Sequence, residues 1–205
     1  MGWQEWIRTV EIAPAIEAKD AAAVEGRVEA LMRTGCRIIH VNAPAGWARQ
    51  AVGILAPMMK KYDGIIDLHA GGDDFAELGR TGADNVTFDA SAVDDVPAAI
   101  EALRGSTTQV GVAFGSDFTP AEVATAAVGA DLVLCACEGD GVIERLHRLA
   151  VMLPPGVMLE VEGGVSQDNA RRLYNAGAKV LIADHPIFDR EDLPRAYRRL
   201  VQALA

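Results

Sequence analysis

The 205-residue chain is poor in cysteine and in positive charge, and each shortage excludes a class of protein. Its 3 cysteines are an odd number, which does not build the paired disulfide framework of a small secreted domain. The formal net charge of −10 argues against nucleic acids and anionic membranes, because both bind cationic surfaces. No apolar run approaches the about 20 residues of a membrane span, and the first residues lack a signal-peptide core. We therefore expect a cytoplasmic protein with no nucleic-acid partner and no membrane partner.

Short apolar segments alternate with amphipathic helical segments along the chain. Segments that are apolar nearly throughout are typical of parallel strands covered on both faces. One helix start is marked by the capping-box pattern of Thr119 and Glu122 with Pro120 between them, and a second by Ser166. The predicted helices include residues 21–34, 121–127 and 169–176, and the predicted strands are residues 10–16, 37–42, 64–69, 85–89, 109–114, 132–137, 157–162 and 179–183.

A glycine repeat predicts how these segments are arranged. Gly35, Gly82, Gly129 and Gly177 each precede a predicted strand, at intervals of 47 or 48 residues. Glycine at such a point supplies the left-handed residue that ends a helix. Each repeat of this length holds two strand–helix units, and each of the four glycines marks one repeat, so four repeats predict eight units, which is a short α/β protein with the (β/α)8 TIM barrel fold. No linker divides the chain, and we expect a single domain over residues 1–205 with residues 1–8 as an N-terminal extension.

Histidines and carboxylates collect where the predicted strands end, which is the active-site face of such a barrel. His40 and His69 end the second and third strands, and Glu162 ends the seventh. Two histidines and one carboxylate can bind a divalent metal, and Asn42, on the same face as His40, offers a neutral oxygen. The alternative is a polar barrel mouth whose histidines are hydrogen-bonded and bind no metal.

Several segments resemble ribulose-phosphate 3-epimerases in order and spacing. The sequence VEIAPAI resembles the opening strand I-A-P-S-I of that family, and IHVN, DLH and EVEGGV resemble its H-V-D, D-V-H and E-V-D-G-G-I motifs. The similar segments are residues 10–16, 39–42, 67–69, 160–165 and 180–188, and the resemblance runs in register over about residues 9–203. The chain thus resembles a divergent member of this family, within the ribulose-phosphate-binding barrels.

The resemblance implies a divalent metal (zinc, iron or manganese), a homo-oligomer, and epimerisation at carbon 3 of a pentulose 5-phosphate. In that reaction two aspartates exchange protons on opposite faces of the substrate while the metal stabilises an enediolate. By position, the resemblance makes Asn42 and Glu162 the catalytic pair. The implied metal ligands are His40, Asn42, His69 and Glu162, and the implied substrate- and phosphate-binding residues are Ala15, Gly163, Gly164, Asp184 and His185.

The sequence departs from the family at several of these positions. Asn42 replaces the aspartate of the second strand, and a carboxamide cannot serve as a general base. Ala15 replaces a serine, and Asp89 stands where the family usually has a histidine. Asp184 and His185 replace the Gly-Ser pair of the phosphate cradle, and the family's loop after the sixth strand is missing. The rim is therefore acidic, through Asp89, Asp117, Glu138, Asp140, Glu162 and Asp184, which suits a metal or a neutral, polyol-like or cationic substrate better than a sugar phosphate.

Three hypotheses remain, and we favour the first. It is a carbohydrate epimerase or isomerase whose substrate is a sugar or sugar phosphate of the ketose class. The reaction would pass through a metal-stabilised enediolate, with Glu162 as the principal acid and base. The second is a lyase or synthase of the hexulose-phosphate synthase kind, although His69 stands where that group has a lysine in its D-x-K-x-x-D motif. The third is a barrel that has lost catalysis and binds a small ligand or a partner protein.

Overall fold

A computed structural model describes residues 12–44, 46–71, 75–106, 109–137, 139 and 141–205. The predicted N-terminal extension of residues 1–8 lies outside the described residues, as do residues 10 and 11 of the first predicted strand. Glu138 and Asp140, which the sequence places on the rim, also lie outside them. No helix in the described ranges has both the length and the apolar character that crossing a bilayer requires.

Eight parallel strands close into a barrel in sequence order, which confirms the predicted (β/α)8 fold. Each strand pairs with its neighbours in the sequence, and the last strand pairs with the first. The strands are β1 (Ile12–Glu17), β2 (Ile38–Ala43), β3 (Ile65–Ala70), β4 (Asn85–Asp89), β5 (Gln109–Phe114), β6 (Leu132–Ala136), β7 (Met158–Glu162) and β8 (Val180–Ala183). All eight predicted strands exist, and their ends differ from the prediction by one residue at most within the described residues.

Helices follow the strands around the outside of the barrel. Those of the described chain are α1 (Ala21–Met32), α2 (Ala48–Lys61), α3 (Phe75–Leu78), α4 (Val96–Arg104), α5 (Pro120–Ala126), α6 (Val142–Met152), α7 (Ala170–Asn175), α8 (His185–Phe188) and α9 (Leu193–Gln202). Two short 3₁₀ helices, Ala18–Asp20 and Ala90–Ala92, follow β1 and β4.

The helix ends follow local sequence chemistry. The four repeat glycines have φ angles of 100°, 87°, 91° and 114°, so each adopts the left-handed conformation that the repeat predicts. The capping box is also confirmed, because the Thr119 N–H donates to Glu122 and the Glu122 N–H donates to Thr119 Oγ1. Ser166 precedes α7, as predicted, and its carbonyl oxygen accepts from the Ala170 N–H over 2.9 Å. The Ser166 N–H donates to Asn169 Oδ1 over 2.8 Å, which closes a turn before the helix, and α7 starts after Asn169.

Alternate residues of each strand point into the barrel, and this interior changes character along its axis. A small apolar cluster fills part of it, with alanines, isoleucines and leucines such as Ala13, Ile38 and Leu132. The larger apolar cluster lies between the strands and the helices. Five polar residues of the described chain are fully buried on the strands: His40, Asp67, Asn85, Thr87 and Glu160. Because buried polar groups are costly unless paired, this concentration inside the barrel marks the functional end.

Candidate metal and acid–base centre

His40 is held in the barrel by a carboxylate behind it. It is fully buried on β2 and pairs in register with Asp67 on β3. Its Nδ1 lies 2.6 Å from Asp67 Oδ2, and Asn85 Nδ2 donates to the other Asp67 oxygen over 2.6 Å. The Asp67 carboxylate is thus fixed on both sides and turns the Nε2 atom of His40 toward the mouth of the barrel.

Two acceptors flank the His40 ring, one at each nitrogen. Nε2 lies 3.1 Å from Asn42 Oδ1, opposite the Nδ1 contact with Asp67. Burial lowers the pKa of His40, but the charge of Asp67 and its hydrogen bond outweigh burial, so the pKa lies above its usual value. The surroundings therefore favour the imidazolium form, and a metal that binds Nε2 must displace its proton.

His69 on β3 is oriented the opposite way. Its Nε2 lies 3.1 Å from Asp89 Oδ1 at the end of β4, which leaves Nδ1 facing the centre of the mouth. The His69 hydrogen bond is the largest influence on Asp89 and lowers the pKa of that carboxyl. Asp89 therefore stays ionised and acts as the acceptor that fixes the His69 ring.

Glu162, at the end of β7, faces both rings. Its Oε2 lies 3.9 Å from His40 Nε2, and its Oε1 lies 3.9 Å from His69 Nδ1. One ligand atom from each of these residues lies within 4.8 Å of the others, so the predicted set of two histidines and one carboxylate is brought together. The set fits a divalent metal, because each histidine has its other ring nitrogen on a carboxylate, as metal-ligating histidines do.

The remaining predicted residues line one cavity beside this group. The cavity has a volume of about 550 Å³ and opens at the mouth of the barrel. Its lining contains all the predicted substrate-binding residues together with the two catalytic positions: Ala15, Asn42, Ala136, Glu162, Gly163, Gly164, Val165, Ile182, Asp184, His185 and Pro186. Gly163 and Gly164 have φ angles of 76° and 62°, a backbone that only glycine adopts readily.

The β8 side of the cavity is acidic. Asp184 follows β8, and its Oδ2 lies 3.6 Å from His185 Nε2, while His185 Nδ1 lies 3.0 Å from Asp189 Oδ2. The one histidine on this side therefore has a carboxylate near each ring nitrogen. Asp184 and His185 occupy the positions that the sequence predicts, but their charges are unlike a phosphate cradle.

Two carboxylates, Asp89 at the rim and Glu160 in the interior, have surroundings that the sequence did not predict. The hydrogen bond from His69 to Asp89 depends on the β3–β4 register and on the ring orientation, which the sequence alone does not give. Glu160 is fully buried, and both of its oxygens lack a hydrogen-bond partner among the described residues. Burial, and then the charges of Asp67 and Glu162, raise the pKa of Glu160 well above its usual value. Its position two residues before Glu162 was the available signal, because residues two apart share a strand face.

Comparisons with known proteins find relatives of this chain at low sequence identity. No family model matches the chain. The ribulose-phosphate 3-epimerase of Chlamydia trachomatis is 24% identical over 207 residues, which cover 90% of this chain and 88% of that protein. The ribulose-phosphate 3-epimerase of Aquifex aeolicus is 22% identical over 209 residues, which cover 92% of this chain and 94% of that protein. The chain is thus similar to these epimerases along nearly its whole length, at low identity.

Solved structures show the same barrel. Orotidine 5′-phosphate decarboxylase from Pyrococcus horikoshii has a TM-score of 0.76 at 14% identity, over 94% of this chain and 98% of that one. The 3-hexulose-6-phosphate synthase from Salmonella typhimurium has a TM-score of 0.72 at 21% identity, over 95% of this chain and 98% of that one. At such identities the likeness concerns the fold, and the chemistry has to be argued from the mouth of the barrel.

Proposed function

We propose that the protein is an isomerase that moves a proton next to the carbonyl of a ketose or ketose phosphate, with Glu162 as the principal acid and base. The observation that carries this proposal is the position of the Glu162 carboxylate, 3.9 Å from both histidine rings and in the lining of the mouth cavity. The similarity to ribulose-phosphate 3-epimerases supports the same class of reaction.

The residues of the mouth have different roles in such a reaction. Glu162 removes a proton from the hydroxyl-bearing carbon beside the carbonyl, the C–H electron pair forms the C=C bond of the enediolate, and the carbonyl oxygen takes the negative charge. The hydroxyl proton then passes to that oxygen, and Glu162 returns its proton to the former carbonyl carbon. A divalent metal held by His40, His69 and Glu162 would supply positive charge for the enediolate oxygens. Asp67 and Asp89 keep the two rings turned toward that position.

Asn42 decides which isomerisation fits best. Its Oδ1 lies 3.1 Å from His40 Nε2 and so faces the position of the proposed metal, which leaves the amide Nδ2 as a donor for a substrate oxygen. A carboxamide does not take up a proton, so the position that would hold a second base holds a hydrogen-bond donor. Epimerisation requires a proton to leave one face and return on the other, whereas one base is enough for aldose–ketose isomerisation. We therefore infer that one-base chemistry through the enediolate is the reaction.

Deuterium exchange tests this proposal. The protein, supplied with Mn²⁺ or Zn²⁺, is incubated in D₂O with D-ribulose 5-phosphate and with unphosphorylated ketoses, and proton NMR follows each carbon beside the carbonyl. We expect exchange with at least one of these substrates, and its loss in Glu162→Gln by a factor of about 10² or more. Glu144→Gln is the matched control, because Glu144 is an exposed carboxylate on α6 paired with Arg148. Exchange that persists in Glu162→Gln would refute the role of Glu162.

A binding protein without catalysis is the second candidate, and Asn42 is the observation that favours it. In that case a ligand would raise the thermal midpoint of the protein while no carbon-bound proton exchanged in any metal-loaded sample. The lyase hypothesis has less support, because no lysine lines the mouth cavity among the residues that the structure describes.

A further inference from the structure

We propose that the mouth cavity takes an unphosphorylated ketose, whose end remote from the reacting carbonyl is a hydroxyl group bound by Asp184. This inference rests on the proposed function for the reacting end of the substrate. It concerns the opposite end, which carries the phosphate group in a ribulose phosphate, the compound in the names of the relatives above.

The charges around the cavity are wrong for a phosphate dianion. Glu162 and Asp184 are the carboxylates of the described lining, and no lysine or arginine of the described chain joins them there. His185 is the one cationic candidate, and carboxylates lie 3.0 Å and 3.6 Å from its two ring nitrogens. A phosphate would therefore meet negative charge without a free cation to offset it, whereas a hydroxyl can donate to Asp184.

The backbone after β8 also offers little to an anion. A phosphate cradle uses unengaged N–H groups, and α8 begins with His185 and Pro186, of which proline has no N–H. The next two N–H groups, of Ile187 and Phe188, already donate to the carbonyl oxygen of Asp184 over 3.0 Å and 2.9 Å. Gly163 and Gly164 keep the β7 half of a cradle, whereas the β8 half carries the negative charge of Asp184 and has no N–H at Pro186.

An adjacent groove gives the alternative that the test has to distinguish. It has a volume of about 750 Å³, lies beyond His185 and Pro186, and is lined in part by Arg190, Arg195 and Arg199. A phosphate that did bind this protein would find its cations there rather than in the mouth cavity. Arg195→Ala therefore separates binding in the groove from binding in the mouth.

Calorimetric titration tests the proposal without requiring turnover. The full chain, with Mn²⁺, is titrated with inorganic phosphate, with D-ribulose 5-phosphate, and with the unphosphorylated ketoses D-ribulose, D-fructose and D-tagatose. We expect at least one unphosphorylated ketose to bind about tenfold or more tightly than D-ribulose 5-phosphate. A tenfold ratio of dissociation constants corresponds to about 1.4 kcal/mol of binding free energy. Asp184→Asn should improve the affinity for D-ribulose 5-phosphate by about tenfold. Glu144→Gln should change neither the affinity for the unphosphorylated ketose nor that for D-ribulose 5-phosphate.

A triple variant supplies the reverse experiment. Asp184→Gly, His185→Ser and Pro186→Ala together remove the negative charge and restore a backbone donor, and we expect inorganic phosphate to bind this variant but not the unaltered protein. Tighter binding of the phosphorylated sugar that persists in Arg195→Ala would overturn the proposal, whereas tighter binding that Arg195→Ala abolishes would place the phosphate in the groove and leave the proposal standing. Failure of every unphosphorylated ketose to bind would also overturn it. Binding without deuterium exchange would instead overturn the proposed function and leave this inference standing. Deuterium exchange with the phosphorylated sugar alone would overturn this inference and leave the proposed function standing.

Discussion

Asp89→Ala should weaken divalent-metal binding while leaving the barrel folded. The Asp89 side chain is 44% exposed, so its removal opens no cavity in the core. Its one described partner is His69 Nε2, at 3.1 Å, and this contact turns the Nδ1 atom of His69 toward Glu162. Without the carboxylate, water replaces Oδ1, and the ring is free to rotate and to carry its proton on Nδ1, the nitrogen that a metal needs unprotonated.

The expected size follows from the role of a carboxylate behind a metal-binding histidine. Removing such a partner typically costs about 10-fold to 100-fold in metal affinity, which is about 1.4–2.7 kcal/mol. Asp89→Asn should cost less than Asp89→Ala, because the amide oxygen still accepts from Nε2 but carries no charge. Both variants should keep their thermal midpoint within a few degrees, because the contact lies at the partly exposed rim.

Two measurements check this reasoning. Calorimetric titration with Zn²⁺ or Mn²⁺ gives the affinity of the unaltered protein, of both Asp89 variants and of the surface control Glu144→Gln. Long-range ¹H–¹⁵N correlation spectra of the His69 ring, recorded without metal, report which nitrogen carries the proton. We expect the Nε2–H tautomer in the unaltered protein and a mixture in Asp89→Ala. An affinity within about twofold of the unaltered protein, together with an unchanged tautomer, would refute the orienting role of Asp89.

Two further predictions concern stability. Glu160→Gln should raise the free energy of unfolding at pH 7 by roughly 1–3 kcal/mol, because the raised pKa of Glu160 makes the folded protein hold a proton that the unfolded chain releases. Denaturant titrations should show this gain shrinking toward pH 4, where the carboxyl of the unfolded chain is protonated too. A gain that does not depend on pH would contradict this cause. Gly177→Ala should lower the free energy of unfolding by roughly 1–3 kcal/mol, because Gly177 has a φ angle of 114° and an added Cβ would meet Ala150 Cβ. The matched control Gly26→Ala, inside α1 with open space around it, should raise the free energy of unfolding by about 0.5–1 kcal/mol. Equal effects of the two substitutions in thermal unfolding would show that the backbone conformation of Gly177 is not the cause.

The fold could be predicted from the sequence because its signals are local. The left-handed glycines repeat at a fixed interval, and the strands are apolar runs, so neither depends on distant contacts. The histidines and Glu162 could be placed on one rim for the same reason, since the rim is where parallel strands end. The hydrogen bond from His69 to Asp89 could not be predicted, because it depends on the β3–β4 register and on one side-chain rotation. The hydrogen bond from the Ser166 N–H to Asn169 Oδ1, in the turn before α7, could not be predicted either, because it depends on the rotamer of Asn169.

The mouth of the barrel is built from two groups of strands and loops, which allows the two ends of a substrate to be bound by different residues. The proposed metal ligands and the carboxylates Asp67 and Asp89, which fix the two histidine rings, come from β2, β3, β4 and β7. The residues proposed to meet the far end of the substrate come from the segment after β8, where Asp184 and Pro186 set the charge and the backbone donors. Because the strands form a rigid barrel and each loop leaves it independently, changes after β8 alter the substrate's far end alone. We therefore expect proton transfer to follow Glu162 and substrate preference to follow Asp184, so that variants at the two positions change exchange rate and ligand affinity separately.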